Sequence, residues 1–169
     1  DYLSTLAMEL EIKKNDPFSS PRIAQLCQRT NQFNLTTRRY TEAEVETFVA
    51  DADTDVVSLI LKDKVGEMGL IGVCILKYDA EGAHIDTLLM SCRALGREVE
   101  DVFLSECLAL AQARGCKAAI GYFAPTKKNG QTADFYSNRG FEARHHSGVE
   151  KSFIISLRYF KRKTPACLE

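Results

Sequence analysis

Three β-rich runs stand in succession at residues 56–62, 69–78 and 84–91, and a long amphipathic helix follows them directly. The charged turn at 63–67 makes the first two runs an antiparallel pair, and Asp79-Ala80-Glu81-Gly82 turns the chain into the third. Val99, Val102, Phe103, Cys107, Leu110 and Ala111 form the apolar stripe of the helix, which Gly115 closes as a C′ glycine. A short strand at 117–124 ends at Pro125. A short helix at 132–139 ends at Gly140, and two last strands cover 141–147 and 151–159.

Upstream the pattern is helical. Leu3, Leu6, Ala7 and Leu10 make an i, i+3, i+4, i+7 stripe over residues 1–12, broken at Asn15-Asp16-Pro17. Ser20-Pro21 opens a second helix with Ile23, Leu26, Cys27 and Thr30 on one face. Residues 31–37 are polar and extended. Thr41 and Glu44 form a capping box before a third helix, which presents Val45, Phe48, Val49 and Ala52. Gly72, inside a strand, marks a bulge or a close backbone approach. Three helices, three strands, helix, strand, helix and two strands make a mixed order, which calls for an α/β or α+β fold.

Composition narrows the function classes. The 169 residues suit one domain, and 22 basic against 23 acidic side chains leave no electrostatic footprint for nucleic acid. No apolar run approaches the ~20 residues a membrane span needs. Six cysteines contain no C-x-x-C pair and only three histidines accompany them, so no zinc template fits and no metal is expected. The cysteines read as reduced, mostly buried thiols of a cytoplasmic protein.

Two places could carry chemistry. Arg93-x-x-Gly96-x-Glu98 joins a strand to a helix N-terminus, either as a phosphate cradle of free amides and cationic Arg93 and Arg97 or as an ordinary turn. The second runs from Asn129 to Phe141, with Phe135 and Tyr136 before a glycine cap; alone, that aromatic pair reads as core packing. His84 and Asp86 alternate on one strand face, with Asp86 the better candidate for a general base. Lys127-Lys128 and His145-His146 read equally well as solvated loops.

Together, in this element order, the two features resemble the GCN5-related N-acetyltransferase (GNAT) fold. Ala133-Asp134-Phe135-Tyr136 and Gly140-Phe141 match its A-x-x-F-Y-x-x-x-G-F motif, and residues 93–98 its pyrophosphate loop. The resemblance implies a mixed central sheet whose fourth and fifth strands splay, with the pantetheine arm of an acyl thioester between them. It places phosphates on Arg93, Leu95, Gly96 and Arg97, makes Asn129 a cofactor ligand, and puts Tyr136 near the thioester sulfur as general acid. Glu98 departs from the motif's final Gly/Ala, and a carboxylate there repels phosphate unless it points outward or pairs with an arginine.

Longer matches at residues 22–26, 30–40 and 91–97 look like the FkbH-like family. Its members join a haloacid-dehalogenase-type phosphatase domain to an acetyltransferase-like domain. They resemble enzymes that take a glyceryl unit from 1,3-bisphosphoglycerate and load it onto an acyl carrier protein, for extender units such as methoxymalonyl-carrier protein. The phosphatase nucleophile motif has no counterpart here, so residues 1–34 are expected to be a helical junction to that domain, 35–160 the acyltransferase domain and 161–169 a tail. On this resemblance the cofactor is carrier-protein phosphopantetheine or coenzyme A, and the partners are the carrier protein and the phosphatase domain. Cys92, beside two arginines at a helix start, is either a thiol that holds the glyceryl group or a small buried residue. Two alternatives accompany this function: a non-catalytic module that binds the carrier protein, and an autonomous acetyl-coenzyme A-dependent N-acetyltransferase.

Overall fold

The structure, a computed structural model, describes residues 9–62, 68–91 and 97–162, and only the backbone of Met68, Arg97 and Glu98. The elements are β1 (Glu9–Lys14), α1 (Ser20–Arg29), α2 (Glu42–Ala50), β2 (Thr54–Lys62), β3 (Met68–Asp79), β4 (Gly82–Met90), α3 (Arg97–Ala113), β5 (Ala118–Phe123), β6 (Glu142–Ala143) and β7 (Lys151–Ser156). The strands form one sheet in the order β1-β2-β3-β4-β5-β7-β6. Neighbours run antiparallel except β4 and β5, which are parallel.

The capping box forms as the sequence requires: Glu44 N donates to Thr41 Oγ1 at 3.2 Å, and Thr41 N to Glu44 Oε1 at 3.1 Å. Gly115, at φ +96°, ends α3 in a Schellman motif, with Cys116 N on Ala111 O and Gly115 N on Gln112 O. Helices cover both faces of the sheet. On one side Phe103, Cys107 and Leu108 of α3 meet Leu59, Cys74, Leu76 and Ile85. On the other, Ile23, Leu26 and Cys27 of α1 and Val45 of α2 meet Val56, Ile60, Val73, Ile75 and Leu89. Cys27, Cys74 and Cys107 are free buried thiols, and burial pushes that of Cys27 up to about 11. Among the described residues, no helix is long and apolar enough to cross a membrane.

Three local expectations need correction. Residues 9–12 belong to a strand, not a helix. From Glu9 the side chains alternate charged and apolar, and Leu10 and Ile12 pack against the core while β1 pairs with β2. The stripe that suggested a helix leaned on Leu3 and Leu6, which lie outside the described residues. The helix expected at 132–139 is two 3₁₀ turns, Gly130–Thr132 and Ser137–Arg139, because most of its backbone bonds close over three residues, such as Phe135 N to Thr132 O and Arg139 N to Tyr136 O. The strand expected over 141–147 shrinks to Glu142–Ala143, since β7 is its sole neighbour and Gly148, at φ +96°, turns the chain back.

Two register shifts shape β3 and β4. Between Leu59 and Ile60 the pairing skips Ile71, and a Cβ on the next residue, Gly72, would stand 3.0 Å from Phe103 Cε2. Both expectations for this glycine, bulge and close approach, therefore meet in one place. Between Ile75 and Leu76 the pairing skips Asp86, which makes it the bulged residue of β4.

Candidate active site

Parallel pairing of β4 with β5 is short, from Ala83 with Ala119 to Ile85 with Gly121. The strands part at the Asp86 bulge, as the fold resemblance implies. The space between them is filled. Residues 33–36, from the connection between α1 and α2, run through it. Leu35 N donates to Leu88 O at 3.1 Å, Met90 N to Phe33 O at 3.0 Å, and Ala124 N to Leu35 O at 2.8 Å. One short segment thus bonds both arms of the splay.

Asn129 staples this arrangement. Its Nδ2 donates to Asn34 O at 2.9 Å and Ala124 O at 3.0 Å, and its Oδ1 accepts from Thr126 N at 2.8 Å. The side chain is fully buried and its amide is committed within the chain. Thr37 follows at φ +54°, strained for a β-branched residue, and its N donates to Asn34 Oδ1 at 2.9 Å. That turn delivers Arg38, Arg39 and Tyr40 to the face carrying α2.

The bulge presents Asp86 to the same face. Its carboxylate accepts from Tyr40 OH at 2.8 Å and Thr87 Oγ1 at 2.9 Å, with Lys77 Nζ at 3.3 Å and Arg38 Nε at 3.4 Å. Its main-chain oxygen accepts from Thr36 Oγ1 at 2.9 Å and Arg38 Nε at 3.1 Å. Burial, with the Asp86 carboxylate next, pushes the Tyr40 hydroxyl far above the ordinary tyrosine range, so it stays a donor. Two cations and two hydroxyl donors converge on this carboxylate, which makes Asp86 an anchor that holds Arg38 and Lys77 in the cleft.

A proton acceptor lies beside it. His84 Nδ1 is 2.6 Å from Tyr122 OH, and its Nε2 is 2.9 Å from Asp79 Oδ1. A carboxylate only accepts, so in the neutral ring Nε2 carries the hydrogen and Nδ1 accepts from Tyr122. The hydrogen bond from His84 holds Asp79 below the usual carboxylate range. Arg38, Lys77, Asp79, His84, Asp86 and Tyr122 line a cleft of about 290 Å³. Asp79, Glu81 and His84 bring three possible metal-ligand atoms within 4.8 Å, but the imidazole hydrogen and Arg144, 3.1 Å from Glu81, already engage the carboxylates.

Tyr136 lies on the opposite face. A Cβ on Gly121 would point at its ring, whereas the next residue, Tyr122, turns to His84. The Tyr136 ring packs on Phe141 and Phe153, and its hydroxyl has no hydrogen-bond partner among the described residues. Burial, then the thiols of Cys74 and Cys107, push its pKa well above the ordinary value. Removal of an unpartnered buried hydroxyl relieves a desolvation cost. Tyr136→Phe is therefore expected to leave stability unchanged or raise it by up to about 1 kcal/mol; urea denaturation showing a loss of that size instead would reveal a hidden partner.

Of the sequence candidates, then, Asp86 faces the cleft, Asn129 staples the splay and Tyr136 sits in the core opposite. Cys92, Arg93, Leu95 and Gly96 lie outside the described residues; Arg97 begins α3, and its side chain lies outside them too. Arg38, Lys77, Asp79 and Tyr122 were not among the candidates. Tyr122 could be found only from the parallel register, which sets β5 beside His84.

No protein-family model matches the chain, and no curated protein matches it. Solved structures do. A Desulfovibrio desulfuricans protein assigned to the GNAT acetyltransferases superposes with a TM-score of 0.69 at 12% identity, over 88% of this chain and 99% of that one. The PaiA N-acetyltransferase of Thermoplasma acidophilum, solved with coenzyme A, gives 0.64 at 15% identity, over 88% and 99%. Spermidine N-acetyltransferase from Vibrio cholerae, in complex with coenzyme A and spermine, gives 0.64 at 14% identity, over 89% and 97%. At such identities the likeness is one of architecture: the chain has the GNAT fold, a mixed seven-stranded sheet with helices on both faces and a splayed parallel pair at its centre.

Proposed function

We propose that the chain is the acyltransferase-fold part of an FkbH-like enzyme, and that it serves transfer of a glyceryl or similarly small acyl group to the pantetheine thiol of an acyl carrier protein. One observation carries this reading. Residues 30–40, the longest stretch of the FkbH-like resemblance, are the residues that fill the splay and supply Arg38 and Tyr40 to the Asp86 cleft. What distinguishes the sequence from a generic acetyltransferase is thus what builds the candidate site.

The cleft suits the chemistry. At about 290 Å³ it sits at the lower end of ligand-pocket volumes, which fits a three-carbon polar acyl group. Lys77 and Arg38, held by Asp86, offer cationic donors to the acyl oxygens. The acceptor thiol gives its proton to His84 Nδ1 through the Tyr122 hydroxyl. The thiolate sulfur attacks the acyl carbon, and the new C–S bond forms as the acyl carbon–oxygen bond of the acyl phosphate breaks and inorganic phosphate leaves. The neighbours solved with coenzyme A support a thioester chemistry in general. In this chain the splay does not accommodate the arm as those strands stand, so the acceptor is read at the cleft.

Intact-mass analysis tests the reading. The chain, a separate phosphatase half, 1,3-bisphosphoglycerate and a holo-carrier protein are combined, and the glyceryl increment on the carrier is followed. Loading should need both halves and fall at least about a hundredfold with His84→Asn or Tyr122→Phe. Loading that survives both substitutions, and Cys92→Ala and Tyr136→Phe as well, moves the chemistry to the other half. The saturated hydrogen bonding of Asp86 favours that second reading, in which this chain is a carrier-binding module. Acetyl transfer from acetyl-coenzyme A to amines would instead make the chain an autonomous N-acetyltransferase.

A further inference from the structure

We propose that residues 33–36 are a permanent internal plug on the track a thioester arm would use, so that this chain does not bind coenzyme A or its acyl thioesters. The fold resemblance implies an arm that enters between β4 and β5. Here that space is taken. Leu88 O, Met90 N and Ala124 N, the main-chain groups that face the gap, are satisfied by Leu35 and Phe33 at 2.8–3.1 Å. The segment is also packed. Phe33 is 6%, Asn34 0%, Leu35 1% and Thr36 7% exposed, and the Phe33 ring meets Phe135 edge-on at 5.3 Å.

A segment of this kind could be a latch that opens, so its anchors decide the matter. Downstream, Thr36 and Arg38 bond the Asp86 main chain and Tyr40 its carboxylate. Upstream, the chain is tied to the end of α1: Arg39 Nη1 donates to Cys27 O and Thr30 O at 2.8 Å, and Gln28 Nε2 to Arg39 O and Tyr40 O at 2.9 Å. From inside, Asn129 holds Asn34 O, and Asn34 Nδ2 holds Thr30 O at 3.2 Å. An incoming arm would have to expel two large apolar side chains from the core and strand buried polar groups on three elements. A pantetheine arm carries two amides, which match the three main-chain groups in number but leave the Asn129 amide without Asn34 O and the buried places of Phe33 and Leu35 unfilled. Residues 33–36 do not line the Asp86 cleft.

The test is calorimetric titration of the whole chain with coenzyme A and acetyl-coenzyme A, together with amide exchange at Leu35, Met90 and Ala124. The expected result is no saturable binding tighter than about 1 mM, and protection at the three amides that either compound leaves unchanged. Saturable micromolar binding overturns the proposal, whether Leu35 loses its protection or keeps it. The titration needs neither carrier protein nor phosphatase half, so its outcome is independent of the loading reaction.

Discussion

Asn129→Ala is expected to cost about 3 kcal/mol of stability, among the largest effects of any single substitution of a polar residue in this chain. Its amide makes three hydrogen bonds, and two of them end on the carbonyls of Asn34 and Ala124 inside the splay. Alanine removes both donors and the acceptor: Ala124 O loses its side-chain partner, Thr126 N loses its acceptor, and Asn34 O keeps only the 3.4 Å bond from Thr37 Oγ1. Each group left unmet in this largely buried place contributes a cost of about 1–3 kcal/mol. For a domain of this size the loss corresponds to a fall in melting temperature of roughly 6–12 °C. Asn129→Asp sharpens the test. It keeps the shape and the acceptor for Thr126 N but turns a carboxylate oxygen toward two carbonyls, so it should be at least as destabilising as alanine. Differential scanning calorimetry that shows less than about 1 kcal/mol for both variants would mean that the staple contributes little.

The same residue shows how far the sequence could be read. Asn129 stands out because it opens a recognisable motif, and motif logic made it a cofactor ligand. Its actual partners are main-chain oxygens of residues 34 and 124, and no pattern along the chain announces that pairing. Elements with a strong period were legible: α1, α2, α3 and the strands β2 to β5 fall where hydrophobic spacing puts them. β1 was misread because its five alternating residues, Glu9 to Lys13, overlap a longer helical stripe. The filled splay was not legible at all. Phe33-Asn34-Leu35-Thr36 has neither a strand's length nor a clean alternation, and it is ordered by bonds to Leu88, Met90 and Ala124, more than 50 positions away.

The cleft was half legible. Asp86 drew notice by strand position, since its face and depth on the strand point toward the junction of the splayed pair. Apart from the adjacent Thr87, its partners come from the α1–α2 connection and β3, so its role as an anchor for Arg38 and Lys77 is a tertiary property. The local sequence around Tyr122 carries no such signal. Its hydroxyl matters only because the parallel register brings it to His84.

Gly121→Ala should destabilise by about 3 kcal/mol, at the upper end of the cost of overpacking, because one methyl group would enter occupied space. A Cβ at this position would stand 2.5 Å from Tyr136 Cε2 and Cζ and 2.7 Å from Cε1, the hydroxyl-bearing end of the ring. The ring cannot retreat, since Phe141 lies 4.8 Å, Phe135 5.4 Å and Phe153 6.0 Å from it, centroid to centroid. Gly121 cannot yield either, because it pairs with Ile85 on one side and Phe153 on the other, where β4 and β5 make their last contact before parting. A double-mutant cycle isolates the cause. Tyr136→Ala should itself cost about 3–5 kcal/mol, as large-to-small changes of buried aromatics do. In that background, Gly121→Ala should cost no more than about 0.5 kcal/mol, because the space the methyl group needs is then empty. If the alanine costs as much with the ring gone as with it present, the constraint lies in the backbone of β5 and not in Tyr136. The cycle also bears on chemistry. A tyrosine held this tightly against the last paired residue of the splay has a fixed hydroxyl position. A role for it in acyl transfer would then require substrate to reach that hydroxyl from the α3 face.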